Sequence, residues 1–534
     1  MSLVADSSGP AVTVLALRQT CRGGLIVVAL AAGMSGLIVG TYAGLTTDPT
    51  AGEELQKLAE SPALRMLFGR PWSLDTAAGF TVWRSGTVLA CILGAWAILA
   101  TTRITRGQEE AGRWDLLLSG RVPLPAVLVR HFAVIAAVPL ASGTAVAAVL
   151  SAWSPSNSAG ALIHGTGLIC LGLFAAATGA LTAQIFPTRA AASGVAVAVL
   201  GTALLARMVA SGIDALAWLL WLSPFGLLEI SAPYERNRPL PLMLLTAATI
   251  ALYLAALRAA ASRDVGSGLL SAPAGHPPRL QLLTSVEAFA VRRLLAPLAA
   301  WTAGVGAYFL LVGLTITSLT DFLADNQAFA NAAAQAGYSG LETADGLTAT
   351  LFALLALPVS AFTAARLAAF TTAESHRHLT LLAAGPTSRL RMLGAEAAAT
   401  TAGVVTLLAV AAVSMWFGVT VTGGRYSLAA AISGTYNMLP IVLLSLGAGL
   451  LAVGLAPTTV MLAGSIPATG GYLLKVIADS TGAPAWITAI SPYTHLAAVP
   501  LAGVNWSGAV VMAGAAGMLG AAGARAYQRR DLAG

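Results

Sequence analysis

Apolar stretches recur along the whole chain, and each is about 20 residues long, enough to cross about 30 Å of hydrocarbon as a helix. Only 10% of the residues are charged and the mean hydropathy is +0.79, which excludes a soluble globular protein. The period-two alternation of membrane β-strands is absent from the sequence. Because lipid cannot satisfy backbone polar groups, the sequence predicts an all-α integral membrane protein.

We count twelve such stretches, six in each half, so we predict twelve transmembrane helices as two six-helix halves. Landmarks between the stretches recur in the same order in both halves. The matching pairs are Pro187 with Pro457, Ser223-Pro224-Phe225 with Ser491-Pro492-Tyr493, and Arg263-Asp264-Val265 with Arg530-Asp531-Leu532. Since each half has an even number of spans, the predicted repeat is parallel.

The repeat divides the sequence into three parts. We predict a first transmembrane half at 1–261, a cytoplasmic linker rich in Gly, Ser and Pro at 262–284, and a second half at 285–534. Each half is expected to begin with an amphipathic helix that lies along the membrane surface, at Val12–Arg22 and at Ser285–Leu295.

A charged segment follows the second span of each half, at residues 108–120 and 374–386. Each copy contains Glu, then Arg three residues later, then a leucine cluster and Gly, and the copies are 264 residues apart. At helical period Ala111, Trp114 and Leu118 share one face, which predicts a short amphipathic helix. The simpler interpretation is a pair of solvated Glu–Arg contacts, each contributing a few tenths of a kcal/mol.

The basic residues predict the orientation. When both charged segments and both termini are assigned to one side, that side holds 20 of the 29 Lys and Arg residues and the other side holds 9. The richer side is cytoplasmic by the positive-inside rule. We therefore expect a multi-pass protein of the cell (plasma) membrane with both termini in the cytoplasm. The scattered arginines do not indicate nucleic-acid binding.

The two charged segments resemble the coupling helices of ATP-binding-cassette (ABC) exporter permeases. The whole chain resembles the fused twelve-span ABC-2 permeases, of the tetronasin-resistance and polyketide-exporter type, that actinobacteria use for antibiotic and multidrug efflux. The resemblance includes the surface helix before the first span and the hydrophobic half-helices between the fifth and sixth spans. It implies the ABC-2, or type V, exporter fold and a permease subunit that exports hydrophobic or amphipathic compounds.

The resemblance also implies a partner, two copies of a cytoplasmic ABC ATPase that dock on the charged segments. The coupling residues that it indicates are Glu109, Glu110, Arg113, Trp114, Leu117 and Leu118 in the first copy, and Glu374, Arg377, His378, Leu381 and Leu382 in the second. The second copy departs from the pattern, because His376 and Leu379 replace Gly112 and Asp115. Its docking is therefore expected to differ in partner or strength.

No nucleotide-binding motif accompanies these segments. A P-loop needs Gly-Lys followed by Ser or Thr to hold phosphates, and the two lysines of the chain, Lys57 and Lys475, follow Gln56 and Leu474. We expect a transport permease rather than an enzyme, with ATP and Mg bound by the separate ATPase and no cofactor or metal in this chain.

Related permeases build their substrate path from the first, second and fifth spans of each half. On that basis the candidate path residues are Phe80, Trp83, Met208, Tyr308, Phe309, Phe352 and Tyr472. Aromatic residues that pack between helices or face lipid are an equally good interpretation of each one.

Ionisable residues within apolar stretches are costly to bury, so they are examined for function. Arg84, Arg207 and Lys475 lie near the outer ends of spans, where extension of the side chain to the interface explains them. Glu396 is expected to form a structural salt bridge, with Arg389 and Arg391 nearby in the sequence. His164 is interpreted as an interfacial or hydrogen-bonded histidine.

Two other functions compete with the ABC interpretation. A proton-driven twelve-span drug transporter would be expected to carry a buried acidic relay and a basic signature after its second span, and neither is evident. A membrane-embedded, lipid-modifying enzyme would need clustered carboxylates on a large outer loop, and Asp321 and Asp325 are a weak indication of that.

Overall fold

The structure is a computed structural model in which all regular elements of the described residues are helical, which confirms the all-α prediction. The described residues are 8–41, 56, 65–66, 68–118, 123–154, 157–270, 281–325, 343–375, 379, 382, 385–481 and 483–530. They fall into two compact units, 1–276 and 277–534, which are described separately. The boundary lies within the stretch predicted to be a linker.

Unit 1 contains nine α-helices, counted among its described residues, and one 3₁₀ helix at Asp214–Leu222. The α-helices are α1 (Ser8–Thr41), α2 (Ala77–Ile104), α3 (Arg106–Glu110), α4 (Arg113–Leu118), α5 (Leu124–Trp153), α6 (Ser158–Ile185), α7 (Arg189–Gly212), α8 (Pro224–Ile230) and α9 (Leu240–Ala261). The core of unit 1 lies where α2, α5 and α6 pack together, with Leu93, Ile135 and Leu171 among its buried residues.

Unit 2 follows the same order of long helices except at the position of the fifth span. Its α-helices are α10 (Val286–Asp325), α11 (Ala344–Ser375), α12 (Arg389–Val421), α13 (Leu428–Tyr436), α14 (Leu439–Leu455), α15 (Val460–Ser465), α16 (Gly471–Thr481), α17 (Ala485–Thr488) and α18 (Trp506–Arg529). Short 3₁₀ helices occur at Pro457–Thr459 and Pro492–His495.

Eleven helices among the described residues are long and apolar enough to cross a membrane, where the sequence predicted twelve. The difference lies at the predicted eleventh span, about Thr458–Ala478. There the chain forms α15, a π-helical turn at Ile466–Gly470, and α16. Pro467 lies in that turn, where its ring removes an N–H group and crowds the carbonyl four residues earlier. Neither α15 nor α16 alone has the length of a span.

The two surface helices are not separate elements, so that prediction was wrong. Helix α1 is continuous over 34 residues, and α10 is continuous over 40 residues, passing through Pro297. At 1.5 Å per residue these helices are about 50 and 60 Å long, longer than a hydrocarbon core of about 30 Å. Each amphipathic segment therefore forms the first turns of the helix that contains the following span.

One hydrogen-bond arrangement recurs in both units. The hydroxyl of Ser223 donates to the carbonyl of Ala203 and accepts from the N–H of Gly226. The hydroxyl of Ser491 donates to the carbonyl of Gly471 and accepts from the N–H of Tyr493. Both serines cap the start of a short helix and reach a carbonyl 20 residues back. The sequence landmark therefore corresponds to the same local structure in each half.

Helices α5 and α6 touch through glycine backbones. A Cβ atom built on Gly143 would lie 2.4 Å from the carbonyl oxygen of Gly165, and one on Gly165 would lie 2.5 Å from that of Gly143. Such contacts let membrane helices pack closely without a hydrophobic driving force. Gly194, in α7, has open space at the same position.

We expect Gly165→Ala to lower the thermal unfolding temperature of the detergent-solubilised protein by several degrees, because its methyl group overlaps backbone atoms that cannot move away. The matched variant Gly194→Ala should leave that temperature unchanged or slightly higher, since alanine is the better helix former. Equal unfolding temperatures for the two variants would contradict the close contact between α5 and α6.

Candidate coupling segments and substrate path

The first charged segment forms two short helices, α3 and α4, rather than the single helix predicted for residues 108–120. The turn between them contains Gly112, which has a φ of +69° and donates its N–H to the carbonyl of Glu109 at 2.9 Å. A residue with a side chain rarely adopts this backbone conformation, so glycine allows the reversal. The segment follows directly from α2, with Thr105 between them.

Glu109 is buried in a cluster with two arginines. Its Oε1 accepts from Arg263 Nη1 at 2.6 Å and from the N–H of Gly266 at 2.8 Å, and its Oε2 accepts from Arg263 Nη2 at 2.8 Å. Arg106 Nη1 lies 3.2 Å from Oε2. We call Arg106, Glu109 and Arg263 the first clamp; their side chains are at most 2% exposed. The resemblance placed Glu109 at a partner surface, whereas here its carboxylate contacts its own unit.

Trp114 also lies inside unit 1. It is 2% exposed, packs with Val127 and Leu128 in a hydrophobic cluster, and its ring centroid is 5.9 Å from that of His131. Leu118 packs against the same cluster, while the side chain of Leu117 is outside the described residues. The apolar face predicted for the segment is therefore present, and it faces the helices of unit 1.

Among the described side chains of the first segment, the exposed charges are Glu110 and Arg113. Glu110 Oε2 accepts from the backbone N–H of Arg189 at 2.9 Å, at the start of α7, where a carboxylate is favoured by the helix dipole. Arg113 Nη1 donates to Gln108 Oε1 at 3.0 Å. The two residues bind other groups rather than each other, so they do not form the contact that their spacing suggested.

The second charged segment is described only in part. Glu374, at the end of α11, accepts a hydrogen bond from Arg530 Nη2, and we call this pair the second clamp. Leu382 packs in a cluster that contains the buried Leu379. Arg377, His378 and Leu381 lie outside the described residues, so their predicted role in coupling stays a prediction.

The arginine partners of the two glutamates show which residues of the two charged segments correspond. Glu109 precedes its arginine by 154 residues and Glu374 precedes its arginine by 156. By partner and position Glu374 therefore corresponds to Glu109, and not to Glu110 as the spacing of the sequence motif suggested.

The candidate path residues of unit 1 lie at the end of α2 opposite to the charged segment. Phe80 and Trp83 are buried beside Leu74, and Trp83 Nε1 donates to the carbonyl of Gly69 at 3.0 Å. Met208 is buried in α7. Trp83 lines a cavity of about 60 Å³, which has room for a few water molecules.

The candidate path residues of unit 2 take part in three aromatic contacts at two places. Phe309 and Phe352 are buried and stacked with centroids 5.9 Å apart, and Tyr308 packs edge-on against Phe309 at 5.2 Å. Tyr472, in α16, lies 5.6 Å from Tyr493. Their part in a substrate path stays a prediction.

The cavity beside Trp83 contains a buried ion pair that the sequence did not reveal. Arg207 Nε donates to Glu229 Oε2 at 2.9 Å, and both side chains are under 10% exposed. Ser211 and the N–H of Arg70 also donate to the carboxylate of Glu229. Arg207 was expected to extend to the membrane interface, which is wrong because its guanidinium turns inward to Glu229. The sequence signal that could have revealed this pair was Glu229, an acidic residue within the apolar run 213–230.

This cluster holds the described residues of the segment 65–73 against the helices of unit 1. Arg207 Nη1 donates to the carbonyl of Met66, and Trp72 Nε1 donates to the carbonyl of Glu229 at 3.1 Å. At the surface, Arg65 donates to Asp214 at 2.7 Å, and this hydrogen bond together with the positive charge lowers the pKa of Asp214. The other residues that line the cavity include Phe68, Phe225 and Leu228, together with His164.

The remaining ionisable candidates have specific environments. Glu396 forms the predicted salt bridge, but with Arg366, and with Arg293 at 3.5 Å, instead of Arg389 or Arg391.

Arg391 pairs instead with Glu287 at an exposed site, with 2.7 Å between Nε and Oε1. Arg84 is exposed and lies 6.0 Å from the ring centroid of Phe80. His164, in α6, is buried and lines the cavity, with Gly86 against its ring.

The fold defines the class, a multi-span helical membrane protein. The family model described as "Multidrug efflux system permease Rv1217c, C-terminal domain" matches residues 11–259 and 283–528, and the chain belongs to this family. One relative, the multidrug efflux system permease protein Rv1217c of Mycobacterium tuberculosis, is 29% identical over 483 residues, which are 88% of this chain and 85% of that protein. The prediction of a multidrug efflux permease family is confirmed, and the ABC-2 subtype stays a prediction.

We expect Arg207→Ala to destabilise the protein by about 3–5 kcal/mol, because it leaves the Glu229 carboxylate buried without its cation. The double variant Arg207→Met/Glu229→Leu, which removes both charges, should lose distinctly less. Thermal unfolding in detergent measures both, with Arg84→Ala as the exposed-arginine control. If Arg207→Ala unfolds at the same temperature as Arg84→Ala, the ion pair does not hold the segment 65–73.

Proposed function

We propose that this chain is the permease subunit of an ABC-2 type exporter that moves hydrophobic or amphipathic compounds, drugs or antibiotics among them, out of the cell. The observation that carries the proposal is the first charged segment. Its apolar residue Trp114 is anchored in unit 1, while Glu110 and Arg113 are exposed on the adjoining turns. A loop with no partner needs neither this anchoring nor a charged outer face. Membership in a family of multidrug efflux permeases supports export as the direction.

The ATPase is proposed to be a separate cytoplasmic protein, present in two copies, one for each charged segment. The distribution of basic residues supports a cytoplasmic location for both segments and both termini. Arg113 and Arg189 present positive charge there, which suits an acidic cleft on the partner, while Glu110 offsets part of that charge. ATP binding would close the ATPase dimer and push on the segments, so that the path opens to the other side. Mg and ATP would bind to the ATPase.

Two local features suit a hydrophobic cargo. The rings of Phe309 and Phe352 stack in unit 2, and Trp83 lines the cavity of unit 1 beside Phe68 and Phe225. The acid at that cavity, Glu229, already receives hydrogen bonds from Arg207, Ser211 and the N–H of Arg70. A positively charged group would find no vacant carboxylate there, and a drug-sized compound would need the cavity of about 60 Å³ to widen.

A proton-driven transporter is the competing function. A relay would need an acid that can exchange protons along a path, but Glu396 is held by Arg366 and Arg293, and Glu229 by Arg207. In both arrangements the carboxylate is already engaged by arginine side chains. We therefore favour ATP as the energy source.

Reconstitution with and without the cognate ATPase tests the proposal. In vesicles loaded with ATP on the ATPase side, dye or drug export should need both proteins, and the permease alone should hydrolyse no ATP above background. Collapse of the proton gradient with an uncoupler should leave ATP-driven export intact. Export that survives without the ATPase but stops with the uncoupler would establish the proton-driven alternative instead.

Two substitutions in the first segment separate docking from folding. Arg113→Glu should reduce copurification of the ATPase about tenfold or more, since it reverses an exposed interface charge, while the permease itself unfolds at the normal temperature. Trp114→Ala should lower that unfolding temperature, because it creates a cavity beside His131 at a cost of about 3–5 kcal/mol. If Arg113→Glu binds the ATPase normally, this surface is not the docking site.

A further inference from the structure

A proline leaves one backbone carbonyl without its helical partner at the end of the fourth span in unit 1. Pro187 has no N–H, so the carbonyl of Ala183, four residues earlier, cannot form the usual helical bond. Arg106 Nε donates to this carbonyl at 2.8 Å. The two following carbonyls, those of Gln184 and Ile185, accept from the N–H groups of residues 269 and 270, beyond the sixth span. The end of α6 is therefore capped by residues from α3 and from the segment after α9.

An unpaired carbonyl also precedes a proline in unit 2, and an arginine donates to it as well. Pro457 leaves the carbonyl of Val453 without a helical donor. Arg530 Nη1 donates to it at 2.8 Å, while Nη2 of the same side chain donates to Glu374. One guanidinium thus joins the end of α11, the end of α14 and the end of α18.

The first clamp makes the corresponding three-way connection with two arginines. Arg106 caps the carbonyl of Ala183, and Arg263 binds Glu109 while its Nε donates to Gln184 Oε1 at 2.8 Å. The ends of the second, fourth and sixth spans of unit 1 are therefore tied together at the base of the charged segment. Glu109 immediately precedes Glu110, the first exposed residue of the proposed docking surface.

We propose that Arg263 and Arg530 are positioning residues that make each charged segment move as one body with the ends of the fourth and sixth spans of its half. This inference rests on the proposed function, in which the ATPase moves the charged segments. It adds the contacts through which that movement reaches the spans. A guanidinium suits this task because its planar fork binds a carboxylate and a carbonyl at the same time in fixed geometry. Burial keeps water from competing for those bonds.

The two clamps differ in strength. Glu109 receives three hydrogen bonds and a second arginine, whereas Glu374 receives, among the described residues, the bond from Arg530. The position that corresponds to Arg106 in unit 2 is occupied by Thr371, whose hydroxyl donates to its own helix. Loss of the single arginine of the second clamp therefore removes the whole connection, while loss of Arg263 leaves Arg106 beside Glu109.

The first test uses the permease alone, so that it does not depend on the ATPase. Hydrogen–deuterium exchange of Arg530→Gln should show faster exchange at 371–375 and at 450–455, and that of Arg263→Gln should show it at 106–114 and 183–186. The control is Arg391→Gln, which removes an exposed pair with Glu287 and should leave those segments unchanged. Unchanged exchange in both clamp variants would overturn the proposal even if export is ATP-driven.

The second test measures uncoupling in the complex with the ATPase. Arg530→Gln should keep ATPase copurification and basal ATP hydrolysis near the normal level but reduce export about tenfold or more, and Arg263→Gln should reduce it less. A parallel loss of ATPase binding and export would indicate a merely structural role and contradict the proposal. If the unaltered chain binds no ATPase, the proposed function fails, and the exchange experiment alone decides on the clamps.

A reversible crosslink provides the rescue. In a background with Cys21, Cys91 and Cys170 replaced by alanine, Glu374→Cys/Arg530→Cys should export poorly until a bifunctional methanethiosulfonate joins the two thiols. Export should then return and be lost again on reduction, because the covalent link replaces the ion pair. A crosslinked protein that remains as inactive as the reduced one, with the ATPase still bound, would show that the connection must open during transport and would overturn the rigid clamp.

Discussion

A helix that ends near a membrane leaves carbonyl groups that water reaches poorly, and the structure depends on how those groups are satisfied. In both units a proline ends the fourth span and removes one backbone donor, at Pro187 and at Pro457. An arginine supplies the missing donor in each case, and the same arginine cluster holds a buried glutamate. An unpaired buried polar group costs about 1–3 kcal/mol. The arginines therefore stabilise both the helix end, by binding its carbonyl, and the buried glutamate, by binding its carboxylate. In each unit the charged segment lies next to this cluster of arginine, glutamate and helix end.

The sequence predicted the membrane class, the helical fold and most spans, because these depend on the length and hydropathy of local stretches. It failed where the outcome depends on whether one helix continues into the next. The segment Val12–Arg22 has the periodicity of a surface helix, yet α1 continues from it without a break. A local pattern shows which face of a helix is apolar, and it does not show what that face will contact.

The same limit applies to the candidate site. Trp114 was placed correctly on the apolar face of the segment, but that face packs within unit 1 instead of awaiting a partner. Glu109 and Arg263 are 154 residues apart, and Arg207 and Glu229 meet only because α7 and α8 fold back on each other. Partners at such separations follow from tertiary packing. The exposed positions Glu110 and Arg113 were predictable, since a solvent-facing charge needs no distant partner.

The two units are alike at the end that carries the charged segments and differ at the opposite end. Each clamp joins a glutamate near the end of its half's second span to an arginine after the sixth, and Ser223 and Ser491 each donate to a carbonyl 20 residues back. Counted from these serines, however, the position of Glu229 is taken by Ala497, and counted from the carbonyls that they bind, that of Arg207 is taken by Lys475.

The buried pair that holds the segment 65–73 in unit 1 therefore has no acidic counterpart at that position in unit 2. The proposed ATPase dimer would need a connection to each charged segment, and each clamp offers one. A compound without two-fold symmetry does not need matching walls. A single chain whose two halves differ only at that end could keep two corresponding docking connections and still have a substrate path without two-fold symmetry. Two copies of a half-length permease could not do this.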